Sequence, residues 1–173
     1  MRQLIVVLLL AACVCACTRN PSSSPDSGSD SSTGDIPEGQ IAQVTRVIDG
    51  DTIDVQFGGA QYRVRYIGMN TPERDEACYQ EATDANAALV SSKTVTLVKD
   101  TSETDMYGRL LRYVYAGSTF VNEELVREGW AENAVYPPDT KYEDVFHQLE
   151  VQARQQNIGC HPTGIFDDGS DTR

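Results

Sequence analysis

The stretch Ile41–Ile67 constrains the fold more than any other part of the chain. Two turn dipeptides cut it into three short runs rich in β-branched and aromatic residues. Ile41–Ile48 alternates imperfectly, and Asp49-Gly50 is a strong turn signal. Thr52–Phe57 alternates again, and Gly58-Gly59 sends the chain back through Gln61–Ile67. A period of two puts Tyr62, Val64 and Tyr66 on one face of the third run, with Arg63, Arg65 and Ile67 on the other. The prediction is a three-stranded meander with two short connections.

The pattern then changes. Asn70-Thr71-Pro72 interrupts it, and Tyr79–Val90 reads as a helix, with several Ala and neither Gly nor Pro. Thr94–Lys99 reads as a fourth strand and Leu110–Ala116 as a fifth, turning at Gly117-Ser118. Asn122–Glu128 is a short helix stopped by Gly129, and Tyr142–Gln155 is the last helix, with Val145, Leu149 and Val151/Gln152 near helical spacing. Five short strands with about three interspersed helices fit an α+β, mainly β domain, a small closed barrel of the OB type. Periodicity alone leaves other α+β layouts open.

The first forty residues read as address and tether. Met1-Arg2 precedes the apolar run Leu4–Ala12, which is shorter than the roughly 20 residues a membrane-spanning helix needs. Leu10-Ala11-Ala12-Cys13 and Val14-Cys15-Ala16-Cys17 both resemble lipoprotein signals, in which the cysteine is acylated and becomes the new N-terminus. Cleavage before Cys17 removes Cys13 and Cys15 and leaves Cys78 and Cys160 as one pair for a disulfide, so Cys17 is preferred to Cys13. The expected organisation is a signal peptide over 1–16, a flexible Ser/Pro/Asp-rich linker over 17–40, a folded domain over 41–166 and a tail over 167–173. Such a chain is expected in the cell envelope, held to the membrane by a lipid anchor only, with a released form as a second expectation. A monomer is expected, since no coiled coil or long apolar stripe is present.

Charge narrows the function. The formal net charge is −12, from 14 Lys and Arg against 26 Asp and Glu. Within Ile41–Ile165 the balance is −8, from 11 basic and 19 acidic residues. Bulk attraction to a polyanion is thereby excluded, so any handling of phosphates must rest on a few placed cations and a metal.

Three segments carry the residue types for that chemistry. Asp49-Gly50-Asp51-Thr52 can place two carboxylates at the mouth of a turn, where a hard divalent cation finds oxygen donors. Alone, it is as well read as a hairpin turn. Arg65 is followed by Asn70-Thr71-Pro72-Glu73, which offers an amide oxygen, a hydroxyl and a carboxylate within four positions. Asp105-Met106-Tyr107-Gly108-Arg109 is a turn ending in an arginine, whose fork bonds phosphate oxygens in pairs and keeps its charge. His147 and His161 are read as surface or packing residues.

The order and spacing of Ile48–Thr52, Arg65, Asn70–Glu73 and Tyr107-Gly108-Arg109 resemble the staphylococcal nuclease (thermonuclease-like) family. Val121–Gly129 also looks like that family's helix after the barrel. The resemblance spans about Ile41 to Gly159. It implies a calcium-dependent phosphodiesterase on an OB-fold barrel, cutting DNA and RNA and leaving 3′-phosphate ends. Carried over by position, it implies Asp51, Asn70 and the Thr71 carbonyl around Ca²⁺, with Asp49 behind them. Glu73 is then the base that acts on water, Arg65 and Arg109 contact the scissile phosphate, and Tyr107 and Tyr136 line the nucleotide pocket.

Three departures stand out. Asn70 replaces the aspartate of the family's prototype, which removes a negative charge and should weaken calcium binding. Cys78 and Cys160 are absent from that cysteine-free prototype; a bridge would tie the exit of the Asn70–Glu73 loop to the C-terminus. The domain is also acidic where the prototype is basic. The competing expectation is a catalytically silent OB module binding single strands or a protein, which would not require Asp51, Arg65, Glu73 and Arg109 together.

Overall fold

A computed structural model describes residues 37–167. The expected signal and nearly all of the expected linker, including Cys13 and Cys17, lie outside the described residues, as does most of the expected tail. The meander is present, as β1 (Gln40–Val47), β2 (Thr52–Phe57) and β3 (Ala60–Tyr66). Thr52 pairs with Arg65 and Phe57 with Ala60, so β2 and β3 run in unbroken register. Gly58 and Gly59 both have positive φ, 57° and 80°, as the tight hairpin between these strands requires. β1 carries an irregularity between Val44 and Arg46 against β2, which bends the strand in the manner of a bulge.

After β4 (Met69–Asn70) and α1 (Tyr79–Val90) come β5 (Thr94–Val98), β6 (Leu110–Ala116) and β7 (Thr119–Phe120). The strand order is β3-β2-β1-β5-β6-β7. A parallel pairing of Val64, Arg65 and Tyr66 with Leu110, Leu111 and Arg112 joins β3 to β6 and closes the five long strands into a barrel. This is the mainly β, OB-type architecture anticipated above. A separate two-stranded pair joins β4 to β8 (Glu132–Asn133).

The barrel interior holds Ile53, Val55, Val64, Val95, Leu97 and Val114, all essentially inaccessible to solvent. α2 (Val121–Arg127) and α3 (Glu143–Gln156) cover one end. Asn122 locks α2 in place: its amide donates to the Ile67 carbonyl at 3.0 Å and its oxygen accepts from the Val114 N–H at 2.9 Å. The face of α3 differs from the expected one. Val145 and Val151 are exposed, and Phe146 and Ala153 are buried with Leu149 partly so. The spacing 146, 149, 153 is equally helical, and the larger aromatic takes the core.

A smaller apolar cluster of Ala82, Cys160 and Phe166, with Trp130 beside it, packs α1 against the C-terminal segment. Cys78 and Cys160 are bridged there, with Cα atoms 5.6 Å apart. No helix among the described residues is long and apolar enough to cross a membrane.

Candidate active site

The centre of the site is built where the β1–β2 turn meets the loop after β3. Gly50 permits that approach: a Cβ there would come within 2.7 Å of the Thr71 side chain. Asp51 is buried, and its Oδ2 accepts from the Thr71 N–H and from the Thr71 hydroxyl, each at 3.0 Å. Its Oδ1 accepts from the Thr52 hydroxyl at 3.0 Å. The Arg65 guanidinium lies 3.1 Å from Asp51 Oδ2. It also donates to the carbonyls of Tyr66 and Met69, at 2.8 and 3.0 Å, and to Asn70 Oδ1 at 2.5 Å. Tyr136 donates its hydroxyl to the same Asn70 oxygen at 3.2 Å. Asp51, Arg65, Asn70, Thr71 and Tyr136 therefore form one connected group.

Asp49 stands behind Asp51 and accepts from its N–H at 3.2 Å. Burial, and then the neighbouring Asp51 charge, push the Asp49 carboxyl up to about 6. Two carboxyl groups so close, one of them raised, mark a place where a cation would relieve repulsion. The donors are all oxygens: the Asp51 carboxylate, the Asn70 amide and the Thr71 carbonyl. That set has the donor chemistry of a site for a hard divalent cation such as Ca²⁺; the Asn70 oxygen already accepts from Arg65 and Tyr136, so it would join such a site only by giving up one of them. Among the described residues no three His, Cys, Asp or Glu side chains converge on a metal position. An ion here would complete its shell with water, as weak sites do.

The second half of the site is the turn before β6. Asp105 accepts from the N–H groups of Tyr107 and Arg109, both at 2.9 Å, and from Arg109 Nε at 2.5 Å. Burial raises the Asp105 carboxyl, but the Arg109 bonds and the Tyr107 N–H outweigh it and hold the group below its ordinary value. Tyr107 is 76% exposed, and its ring lies 5.5 Å from the Arg109 guanidinium carbon. Arg65, Arg109 and Tyr136 line one cavity of about 200 Å³, with Asp105 and Leu111 in its wall. Two fixed guanidinium groups around one cavity suit an anionic phosphodiester.

Glu73 is exposed on the loop beyond Thr71, where its N–H donates to Glu76 at 2.7 Å. His147 is exposed and His161 buried, neither in the site.

Three contributors escape a reading by motif. Asn86 of α1 accepts from the Tyr66 hydroxyl at 3.0 Å and donates to the Asp49 carbonyl at 2.8 Å, clamping the helix onto the acidic turn. Only its polarity amid alanines marks it in sequence. Asp105, quoted as the start of a turn, aims Arg109. Glu132 is buried and stands directly across from Asn70 in the β4–β8 pair. Like charges directly opposite are destabilising, which gives a physical reason for an amide rather than a carboxylate at position 70.

The chain is similar to known proteins of one family. The model of a family described as staphylococcal nuclease homologue matches residues 63–160. A thermonuclease of Staphylococcus hyicus is 38% identical over 122 residues, covering 67% of this chain and 72% of that protein. Two proteins of Bacillus subtilis (strain 168) are also similar. The SPbeta prophage-derived endonuclease YokF is 40% identical over 129 residues, covering 69% of this chain and 44% of that protein. Endonuclease YncB is 41% identical over 121 residues, covering 65% and 57%. The chain thus spans about half the length of these two relatives.

Proposed function

The chain belongs to the staphylococcal nuclease family, and from that premise we propose a calcium-dependent endonuclease that hydrolyses DNA and RNA to 3′-phosphate ends outside the cytoplasm. That it is a nuclease, a hydrolase of phosphodiester bonds, follows from the family and from its thermonuclease and endonuclease relatives. The observation that carries the finer reading is that Arg65 and Arg109 border one cavity while Asp51 and Asn70 are both bonded to Arg65.

Asp51, Asn70 and the Thr71 carbonyl would hold the calcium ion, with Asp49 behind them. When bound, the ion polarises the phosphoryl oxygen and gathers water beside it. Glu73 takes a proton from the attacking water, whose oxygen bonds to phosphorus while the bond to the 5′ oxygen breaks. The 5′ oxygen takes a proton from solvent water and leaves as a hydroxyl, and the phosphate stays on the 3′ side. Arg65 is already fixed by two carbonyls and an amide, so it needs little reorganisation as charge grows on the phosphoryl oxygens. Arg109, aimed by Asp105, stabilises the phosphate and the leaving oxygen. Tyr136 and Tyr107 border the nucleotide.

The Cys78–Cys160 bridge supports an oxidising compartment. Together with the lipoprotein-like N-terminus it supports a monomeric enzyme anchored at the envelope through Cys17 or Cys13.

The test is cleavage of single-stranded DNA and of RNA across a calcium titration, with a chelator control. Cleavage that requires calcium, leaves 3′-phosphate ends and vanishes in Glu73→Gln is the expected result. Cleavage that is indifferent to chelation, or that leaves 5′-phosphates, would overturn the reading.

A further inference from the structure

β3 presents a second arginine on the face that carries Arg65. Arg63 lies two residues earlier, about 6.6 Å along the strand, close to the spacing of successive phosphates in an extended single strand. Asp54 holds Arg63 in a two-point grip, accepting Nε at 2.8 Å and Nη2 at 3.0 Å. That grip fixes the plane of the fork and leaves its Nη1 edge unclaimed by Asp54, on a side chain that is 48% exposed.

Beside Arg63 is a cavity of about 470 Å³ bordered by Tyr62, Arg63, Tyr107 and Arg109. Arg109 also borders the cavity of the proposed active site, so the two adjoin at this side chain. Tyr62 is 37% exposed, and its ring is stacked on Phe57 with centroids 4.3 Å apart and planes 15° from parallel. One face of the ring is thereby covered and its orientation held. Tyr62 and Arg63 leave the strand on opposite faces yet border the same space, which separates an aromatic platform from a cation as a nucleotide separates base from phosphate.

We propose that this cavity is a second nucleotide subsite. It takes the nucleotide one step beyond the pair that flanks the scissile phosphate in a single strand of DNA or RNA, with that nucleotide's base on Tyr62 and the phosphate joining it to the pair on Arg63. The proposal rests on the nuclease reading and adds to it a reason to prefer chains over minimal diesters. It also accounts for how so acidic a domain can hold a polyanion, since binding comes from placed contacts and not from overall charge.

The test compares cleavage of a thymidine 12-mer with cleavage of the dinucleotide TpT, in the full chain with calcium. In Tyr62→Leu and in Arg63→Gln the ratio of kcat/KM on the 12-mer to that on TpT is expected to fall about tenfold, mainly through KM, as loss of one stacked base predicts. Tyr62→Phe should keep the ratio. If Arg63→Gln does not fold, because Asp54 loses its partner, Arg63→Lys carries the test by keeping the charge and losing the fork. A second arm measures fluorescence anisotropy of a labelled 12-mer on Glu73→Gln protein, where the same substitutions should weaken binding by the same factor. Ratios and affinities within twofold of the parent, in folded variants, would overturn the subsite. Absence of cleavage by the parent on both substrates would instead overturn the nuclease reading, and the anisotropy arm would still decide the subsite.

Discussion

The two arginines of the site, one on strand β3 and one on the turn before β6, are mounted on opposite principles. Arg65 is buried, and its hydrogen bonds run to two carbonyls and the Asn70 amide; the turn beside it is tied to α1 by Asn86 and to the next loop by Thr71. Arg109 belongs to an exposed turn whose side-chain bonds stay within five residues, nearly all through Asp105. One arginine is part of the protein's interior; the other is mounted on its surface. Stability and catalysis should therefore be coupled at the first and separable at the second.

Substituting each arginine breaks or sharpens that contrast. Arg65→Gln removes the partner of a buried carboxylate, which costs about 3–5 kcal/mol, and it is expected to lower kcat by about 100- to 1,000-fold as well. Denaturant unfolding and initial-rate kinetics on the same preparation would measure both. Arg109→Gln is expected to cost a similar factor in kcat while unfolding free energy stays within about 0.5 kcal/mol of the parent, as for other surface positions. If Arg109→Gln proved as destabilising as Arg65→Gln, the two mountings would not differ in this way.

How much of this could be read before the structure follows the same division. The meander, its turns and the three motifs lie in local sequence, where period-two alternation and turn dipeptides carry strong signals. Barrel closure does not. The β3–β6 pairing joins Val64 to Leu110 across more than a third of the domain, and neither residue bears any local mark of the other. β4 and β8 are two residues each, too short to show a period, so the facing of Asn70 and Glu132 was invisible. Two phases of α3 are apolar, one through Val145 and Val151 and one through Phe146 and Ala153, and only the core decides between them. Arg109 was legible with its turn because Asp105 is four residues away. The bonds of Arg65 to the Tyr66 and Met69 carbonyls were not, because main-chain partners leave no trace in residue type.

Asn86 tests the coupled half from outside the motifs. Asn86→Ala leaves the Asp49 carbonyl and the Tyr66 hydroxyl without their partner, at a cost of about 2–3 kcal/mol. If the helix clamp sets the acidic turn, the calcium concentration for half-maximal cleavage should rise, whereas the Arg109 turn should be untouched. Isothermal titration with calcium would show the shift without relying on turnover. An unchanged calcium affinity in a folded Asn86→Ala protein would mean that the contacts of Asp51 with Thr52, Arg65 and Thr71 are enough to hold the turn.

The smallest expected effect is a pH dependence at the far end of the coupled half. The loop carrying Glu73 leaves through Cys78, which is bridged to Cys160, next to His161. His161 is buried against Phe166, with ring centroids 5.3 Å apart, and its Nε2 has no hydrogen-bond partner among the described residues. Burial lowers its pKa; Arg154 acts in the same direction, while Glu150 and Asp167 oppose it. Below the unfolded value of about 6.5 the unfolded chain binds a proton that the folded chain resists, so this contribution falls as pH drops through about 6.5 and is flat above it. Asp49, raised to about 6, moves the other way, since its folded form takes up a proton more readily than the unfolded one. The two are separated by subtraction: the change in melting temperature between pH 7.5 and 5.5, measured with chelator in the parent and in His161→Gln, should be more negative in the parent. Equal changes in both proteins would show that the interior around the bridge bears no proton-linked strain, leaving the acidic turn as the pH-sensitive element of this half.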